Sequence, residues 1–396
     1  MLPYVARAYL SPEFAKWMLP GNNALIANAA AVILAMWARL SIETYPGIRS
    51  SYVIFPVALA AHGVAVAFFL LTRLPYDRVI LLSGFGLHVA WNYFAFLYGE
   101  RRIRRRIAIV PYGAIEALER IETIEWRVLE RPLLSDTAGC HAIVADFSAA
   151  LPDEWEAFLA DAALDGRIVY QVKQLSESLT GRVELGHLSE NSFGSLVPAR
   201  GYFHFKTLLD TMLAVAVLPL VLPVMAVGAL AIWIEGGGPV LFRQARVGHA
   251  GHPITVYKFR TMRGGDRGDQ RAAAMTQADD ERITRVGAYL RRLRIDELPQ
   301  IFNVLKLEMS WIGPRPEAEI LSQWYTGELP FYRYRHVVKP GISGWAQINQ
   351  GHVAEVADVH RKLQYDFYYI KYFSPWLDLL IVLRTVKTML TGFGAR

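Results

Sequence analysis

Two adjacent carboxylates, Asp296 and Glu297, stand in a stretch crowded with arginine, RRLRIDELPQIFNVLKLEMSWIGPRPE, residues 291–317. Arg291, Arg292 and Arg294 precede them, and a Gly-Pro-Arg-Pro turn carrying Arg315 follows. Asp is a good helix N-cap, and Pro299 fits a first helical turn, where its missing N–H is no loss. The stretch predicts a helix that starts at Asp296. A helix start offers free N–H groups and partial positive charge, and so favours carboxylates, phosphates or both. Neighbours on a regular helix diverge by about 100°, so both carboxylates serve one site only at a helix end. Carboxylates held among arginines suit chemistry on anionic phosphates through a divalent metal. The plain alternative is a surface helix with an acidic cap and ordinary salt bridges.

The elements that must position this pair are membrane-seeking. Hydrophobic residues make up 53% of the 396-residue chain and charged residues 20%, too apolar a balance for an ordinary soluble protein. The formal net charge of +6 suits an anionic lipid surface at least as well as nucleic acid. The single cysteine, Cys140, excludes an intramolecular disulfide framework or a Cys-rich zinc site and reads as a buried structural residue. The first 20 residues contain Arg7, Glu13, Lys16 and three prolines, which argues against a cleavable signal peptide.

Residues 1–106 read as a transmembrane region of about three spans, 22–42, 52–72 and 79–99. The second and third contain no Asp, Glu, Lys or Arg, and each is long enough to cross a ~30 Å hydrocarbon core. Five arginines in positions 101–106 mark the end of the third span as cytoplasmic. Three spans place the N-terminus outside; a fourth in the first 20 residues would reverse that.

Residues 107–200 change character. Short β-like runs at 107–110, 124–129, 142–147 and 167–172 alternate with helical stretches at 114–121 and 154–164. This alternation predicts a small Rossmann-like α/β domain with a parallel sheet. Its first strand ends in VPYGAIEA, not G-x-G-x-x-G, so a dinucleotide has no close approach there. The domain reads as structural or regulatory.

From Thr211 to Ile234 the chain is uncharged, which by hydropathy alone is a membrane helix of ~36 Å. Pro219 and Pro223 fall in its middle and kink or break a helix. A spanning helix would also put all that follows on the far side from the α/β domain. The expectation is a re-entrant hairpin over 206–235, bent at Pro223, with Lys206 and Asp210 at one end and Glu235 at the other. A kinked spanning helix is the alternative. Beyond Gly236-Gly237-Gly238-Pro239, a β-hairpin brings Lys258 and Arg260 close together. Residues 263–282 form a polar loop, and a helix is expected from about Ile283 to Arg294. Near the end, Tyr365, Phe367, Tyr368, Tyr369, Tyr372, Phe373 and Trp376 crowd one region with Lys371, Arg384 and Lys387 interleaved. Such helices lie in the membrane interface. Nucleic-acid binding is not expected.

KFRTM at 258–262, DDERITRVGAYLRRLRIDELPQIFNVLKLEMSWIGPRP at 279–316, KPGISGWAQIN at 339–349 and YDFYYIK at 365–371 occur in one order and spacing. Over 201–396 the chain resembles the bacterial sugar transferases, the monotopic phosphoglycosyl transferases. The front half is similar, less specifically, to the long form of that family found in exopolysaccharide and O-antigen initiation. The resemblance implies an α/β membrane protein with a mixed α/β catalytic domain facing the cytoplasm at the bacterial inner membrane. It implies transfer of a sugar 1-phosphate from a UDP-sugar to polyprenyl (undecaprenyl) phosphate, with release of UMP. Asp296 would be the covalent nucleophile and Glu297 its proton-handling or metal-organising partner, with Mg²⁺ as cofactor held by Asp296 and Glu297. Lys258, Arg260, Arg291 and Arg315 map onto basic positions that bind phosphate oxygens, and Asp366 onto another active-site carboxylate. For Arg291 and Asp366 a buried ion pair that holds the domain together is the competing reading. A homo-oligomer stays open.

The chain departs from the family pattern twice. Leu222 precedes Pro223 where many members have Ser, so no hydroxyl satisfies the freed backbone there. Gln350-Gly351-His352 follows Asn349 where many have Gly-Arg, and His352 is the candidate substitute at the donor. Two other classes compete: a catalytically silent membrane scaffold or regulator of polysaccharide assembly, and a glycosyltransferase that moves sugar alone and releases UDP.

Overall fold

The computed structural model describes residues 14–43, 50–100, 106–119, 121, 124–184, 198–263, 282–350 and 356–391. His352, Arg101, Arg102, Arg104, Arg105 and most of the polar loop lie outside the described residues. The chain folds as two compact units, Met1–Gly181 and Arg182–Arg396.

The first unit begins with three long helices, α1 (Phe14–Glu43), α2 (Ser50–Thr72) and α3 (Arg78–Glu100). Each contains a stretch long and apolar enough to cross a membrane: Leu19–Ile42, Val53–Thr72 and Arg78–Phe96. Their packed faces are small or β-branched, with Ala31, Ala35, Val57, Ala58 and Ala61 buried. The opposite faces expose Met36, Leu59, Phe68, Leu82 and Trp91, apolar residues that water would not favour. Polar pairs tie the helices. Arg39 donates to Asn92 Oδ1 at 2.6 Å, and Asn28 Nδ2 donates to the Ile80 carbonyl at 2.9 Å. These two bonds set α1 parallel to α3.

The remainder of this unit is a four-stranded parallel sheet in the order β2-β1-β3-β4, formed by β1 (Arg106–Ile109), β2 (Glu125–Val128), β3 (Ala142–Ala145) and β4 (Val169–Gln171). The interleaved helices are α4 (Glu116–Glu119), α5 (Asp153–Leu164) and α6 (Val172–Thr180). The all-parallel sheet has buried central strands, as helices on its faces require. Trp155, Phe158 and Leu159 of α5 pack with one set of strand side chains, while Leu118, Val172 and Leu175 pack with the other. At the end of β1, Gly113 has φ +83°, and Asp146 accepts the Ala114 N–H at 3.0 Å. That carboxylate takes a backbone donor which a dinucleotide phosphate would need.

The second unit opens with α7 (Arg200–Gly236), a helix of 37 residues continuous through Pro219 and Pro223. Next come the antiparallel pair β5 (Leu241–Val247) and β6 (Pro253–Phe259), then α8 (Arg285–Arg292). A 3₁₀ helix over Ile295–Gln300 leads into α9 (Ile301–Leu305). The chain continues through β7 (Ser310–Ile312), α10 (Glu319–Glu328), a 3₁₀ turn over Tyr332–Val337, β8 (Gly341–Ser343), α11 (Trp345–Gln350), α12 (Val356–Lys371) and α13 (Pro375–Thr391). β7 and β8 are parallel.

One core joins these elements. Ala214, Met225 and Ile232 of α7 pack with Val256, Phe259, Leu290, Ile301, Val304 and Met309. Residues on both sides of the two prolines therefore enter the same core. The outer face of α7 exposes Leu208, Met212, Leu220, Leu222, Val227 and Trp233. At the start of α7, Lys206 Nζ is 2.8 Å from Asp378, and Asp210 accepts from Ser310 at 2.5 Å. At its end, the Glu235 carboxylate accepts the Val286 N–H at 3.1 Å and so caps α8.

Candidate active site

The helix expected to start at Asp296 does not start there. α8 ends at Arg292, and Arg294 adopts a left-handed conformation (φ 58°, ψ 18°). Asp296 is the second residue of the 3₁₀ helix that follows, not an N-cap. Neighbours in a 3₁₀ turn diverge by about 120°, so it is the enclosure of this short turn by surrounding elements, and not its winding, that covers both carboxylates. Asp296 and Glu297 are both buried.

Their environments differ sharply. Glu297 Oε1 accepts from Lys258 Nζ and from Arg315 Nη2, each at 3.0 Å, and Oε2 accepts from Arg294 Nη1 at 3.2 Å. Burial opposes its charge, but Lys258, then Arg315 and Arg294, hold it far below the usual carboxylate range. Asp296 has no such shell. Its Oδ1 is buried without a hydrogen-bond partner among the described residues. Burial and the adjacent Glu297 push its carboxyl up, against weaker pulls from Lys258, Arg291 and Arg315.

The cations come from four elements. Lys258 lies on β6, opposite Phe242 in the hairpin register. Arg291 lies in the last turn of α8, with Nε donating to Thr261 Oγ1 at 3.1 Å and Nη1 buried without a partner among the described residues. That placement depends on Gly287, where a Cβ would stand 2.3 Å from the Thr261 carbonyl oxygen. Arg315 sits on the turn after β7. Gly341 N donates to the Pro314 carbonyl at 3.0 Å, and the strands approach so closely that a Cβ on Gly341 would lie 2.1 Å from Gly313 N. Arg246 of β5 donates to the Pro316 carbonyl and to Gln244. Burial and neighbouring Arg315 lower its pKa to about 10.

A second layer braces the first. Arg335 is 2% exposed; it pairs with Asp366 at 2.8 Å and donates to the Arg315 carbonyl at 3.0 Å. Glu317 is held by Lys362 and Arg335. Asp366 is thus in a buried ion pair, but its partner is Arg335 and not Arg291. Arg260 turns away from the carboxylates and donates to the Gly237 carbonyl in the glycine turn. His352 lies outside the described residues. Arg246, Glu317, Arg335 and Lys362 escaped the sequence reading, although FYRYRHVVKPG places Arg335 just ahead of the KPGISGWAQIN motif.

The metal expectation divides along the same line. An orphaned, buried carboxylate oxygen on Asp296 fits a hard divalent cation, which prefers oxygen ligands. Glu297 has both oxygens taken up by cations. Among the described residues, no group of three or more His, Cys, Asp or Glu side chains is placed to hold an ion. Cations outnumber carboxylates across both layers, and an anionic ligand would complete the charge balance.

A buried carboxylate without a partner, ringed by cations and carried beside a lipid-seeking helix, defines a membrane-associated phosphate-handling enzyme. Residues 201–392 match the family described as bacterial sugar transferase. The UDP-N-acetylgalactosamine-undecaprenyl-phosphate N-acetylgalactosaminephosphotransferase of Aeromonas hydrophila is 44% identical over 353 residues, 89% of this chain and 83% of that protein. The chain belongs to the bacterial sugar transferase family. It is also 42% identical over 192 residues to a UDP-glucose:undecaprenyl-phosphate glucose-1-phosphate transferase of Caulobacter vibrioides, 48% of this chain and 71% of that one. An exopolysaccharide production protein of Rhizobium leguminosarum matches at 39% over 191 residues, 47% of this chain and 95% of that one. The Aeromonas alignment is too long to be confined to the second unit, so the likeness extends into the first.

Proposed function

We propose that this protein transfers a sugar 1-phosphate from a UDP-sugar to undecaprenyl phosphate, releasing UMP, as the first membrane step of exopolysaccharide or O-antigen synthesis. The observation that carries the reading is the contrast within the pair: Glu297 is saturated by cations while Asp296 keeps a buried oxygen free. Asp296 attacks the sugar-bearing phosphorus, the bond to the UMP oxygen breaks, and an acyl phosphate forms on the carboxylate. An oxygen of the lipid phosphate then attacks the same phosphorus and returns Asp296 as carboxylate. Lys258, Arg291 and Arg315 bind phosphate oxygens and offset the repulsion between carboxylate and phosphate. Glu297 fixes Lys258 and Arg315 where they face the phosphorus. Asp296, through its unpartnered Oδ1, would hold Mg²⁺, which would supply charge neutralisation at phosphate oxygens. The N-acetylgalactosamine donor is the first to test, because the relative that carries it in its name aligns over most of this chain.

The rest of the architecture supports the same reading. We read α7 as re-entrant, entering and leaving the lipid on one side: its prolines favour a bend although the helix runs on through them, and Ala214 before them packs in the same core as Met225 and Ile232 after them. The catalytic domain then faces the cytoplasm of the inner membrane, where UDP-sugars are available. The aromatic side chains of α12 do not face lipid as the sequence suggested: Phe367, Tyr368 and Tyr369 are buried in the protein, and the exposed apolar residues of this region include Val382 and Val386 of α13. The parallel sheet of the first unit is a Rossmann-like domain with a structural or regulatory role. The deciding experiment is nucleotide release from a panel of UDP-sugars with undecaprenyl phosphate. UMP supports phosphosugar transfer; UDP would mean glycosyl transfer, and neither would favour a silent scaffold.

A further inference from the structure

Arg294 sits where its backbone disfavours an arginine. Its φ of 58° lies in the left-handed region, which penalises a Cβ and suits glycine. The chain reverses at this residue. Arg294 N donates to the Arg291 carbonyl at 3.1 Å, and Glu297 N returns to the Arg294 carbonyl at 3.4 Å. Glycine would make the same reversal with less strain. It could not make the side-chain contact: Arg294 Nη1 donates to Glu297 Oε2 at 3.2 Å. Lys258 and Arg315 both bind the other oxygen, Oε1. Without Arg294, the carboxylate is gripped at one oxygen and is free to pivot about that point.

We propose that Arg294 is a positioning residue, which tolerates a left-handed backbone so that its guanidinium locks the second oxygen of Glu297 beside Asp296. The inference rests on the phosphoglycosyl-transfer reading. A side chain kept at a strained position next to reacting groups is the pattern of a stability–function trade-off. It has a signature that a merely structural role lacks, because stability and turnover move in opposite directions.

The test compares Arg294→Gly, Arg294→Ala and Arg294→Lys in the full-length protein in nanodiscs. Each is assayed for its thermal midpoint and for kcat and KM of UMP release. Arg294→Gly is expected to melt at or above wild type, and roughly 2–4 °C above Arg294→Ala. Both lose about tenfold in kcat with KM within about threefold, the mark of a displaced catalytic group rather than lost substrate binding. Arg294→Lys restores most of kcat. A glycine variant with wild-type kcat, or one that melts clearly below wild type, overturns the proposal. If the wild-type protein releases no UMP from any UDP-sugar, the functional reading fails. The melting order then decides the backbone half of the proposal, and Arg294→Gly melting below Arg294→Ala overturns it.

Discussion

Lys258 and Glu297 form a 3.0 Å ion pair inside the catalytic domain, and the lysine does not keep its usual basicity there. Burial lowers its pKa to about 8; Glu297 opposes the shift, while Arg315 and Arg246 add to it. Raising pH through this value removes the ammonium charge, and with it a phosphate ligand and a partner of Glu297. At the other end, the proposed mechanism needs Asp296 ionised, and burial and Glu297 push its carboxyl above the usual carboxylate range. UMP release is therefore expected to rise as pH climbs through the raised Asp296 pKa and to fall from about pH 8. Lys258→Arg keeps its charge, so it should lose the alkaline limb. An unchanged alkaline limb in that variant would remove Lys258 from the account.

Asp296→Asn preserves the shape of the turn and removes the proposed nucleophile. Turnover should drop by at least roughly 10³-fold, while retention of the UDP-sugar, read by equilibrium binding, stays close to wild type. Wild-type protein quenched with donor alone should carry the added mass of a phosphosugar. Full activity in the Asn variant would sink the covalent route.

Arg335 holds Asp366 and the Arg315 carbonyl from a position 2% exposed. Arg335→Leu strands a buried carboxylate, a change that costs roughly 3–5 kcal/mol when the partner charge stays behind. The expected result is a large drop in thermal midpoint. Adding Asp366→Asn to that variant should recover part of the loss. A double variant no more stable than the single one would show that the pair is not coupled.

Gly287 and Gly327 make a matched test of close approach. A methyl on Gly287 would meet the Thr261 carbonyl at 2.3 Å, whereas one on Gly327 meets nothing within 4 Å. Gly287→Ala should push α8 off the segment at Thr261 that follows β6, move Arg291, raise KM for the donor and destabilise by roughly 1–3 kcal/mol. Gly327→Ala, inside α10, should be neutral or slightly stabilising. Equal effects at the two positions would discount the contact.

The course of α7 is open to labelling. With Cys140 replaced by Ser, single cysteines at His204 and Val240 should react with an impermeant reagent from the same face of sealed vesicles. Labelling from opposite faces would make α7 a spanning helix and place the catalytic domain elsewhere.

Local periodicity revealed the apolar helices and β1 to β4 to within a few residues, because burial in those elements leaves a regular trace in the sequence. Motif spacing pointed to Asp296, Glu297, Lys258 and Arg315. Three features escaped it. Arg335 and Asp366 are 31 residues apart, and their pairing exists only once α12 packs against the Tyr332–Val337 turn. The turn at Arg294 was hidden because arginine carries no preference for left-handed backbone; only tertiary contacts fix it there. The helix α6 was also missed, since Val172 reads as the end of a strand until Leu175 and Val172 are seen to share one buried face.

Gly228 of α7 lies against Ile295, close enough that a methyl on the glycine would stand 3.7 Å from the isoleucine side chain. One peptide bond separates Ile295 from Asp296. The proposed nucleophile thus stands next to a residue in contact with a helix whose far side is apolar and exposed. A tilt or vertical shift of that helix reaches the phosphorus-attacking oxygen as a displacement on the ångström scale, where rates change steeply. On the proposed reaction, UMP release is then expected to vary with the acyl-chain length of the host bilayer as well as with the concentrations of the two substrates.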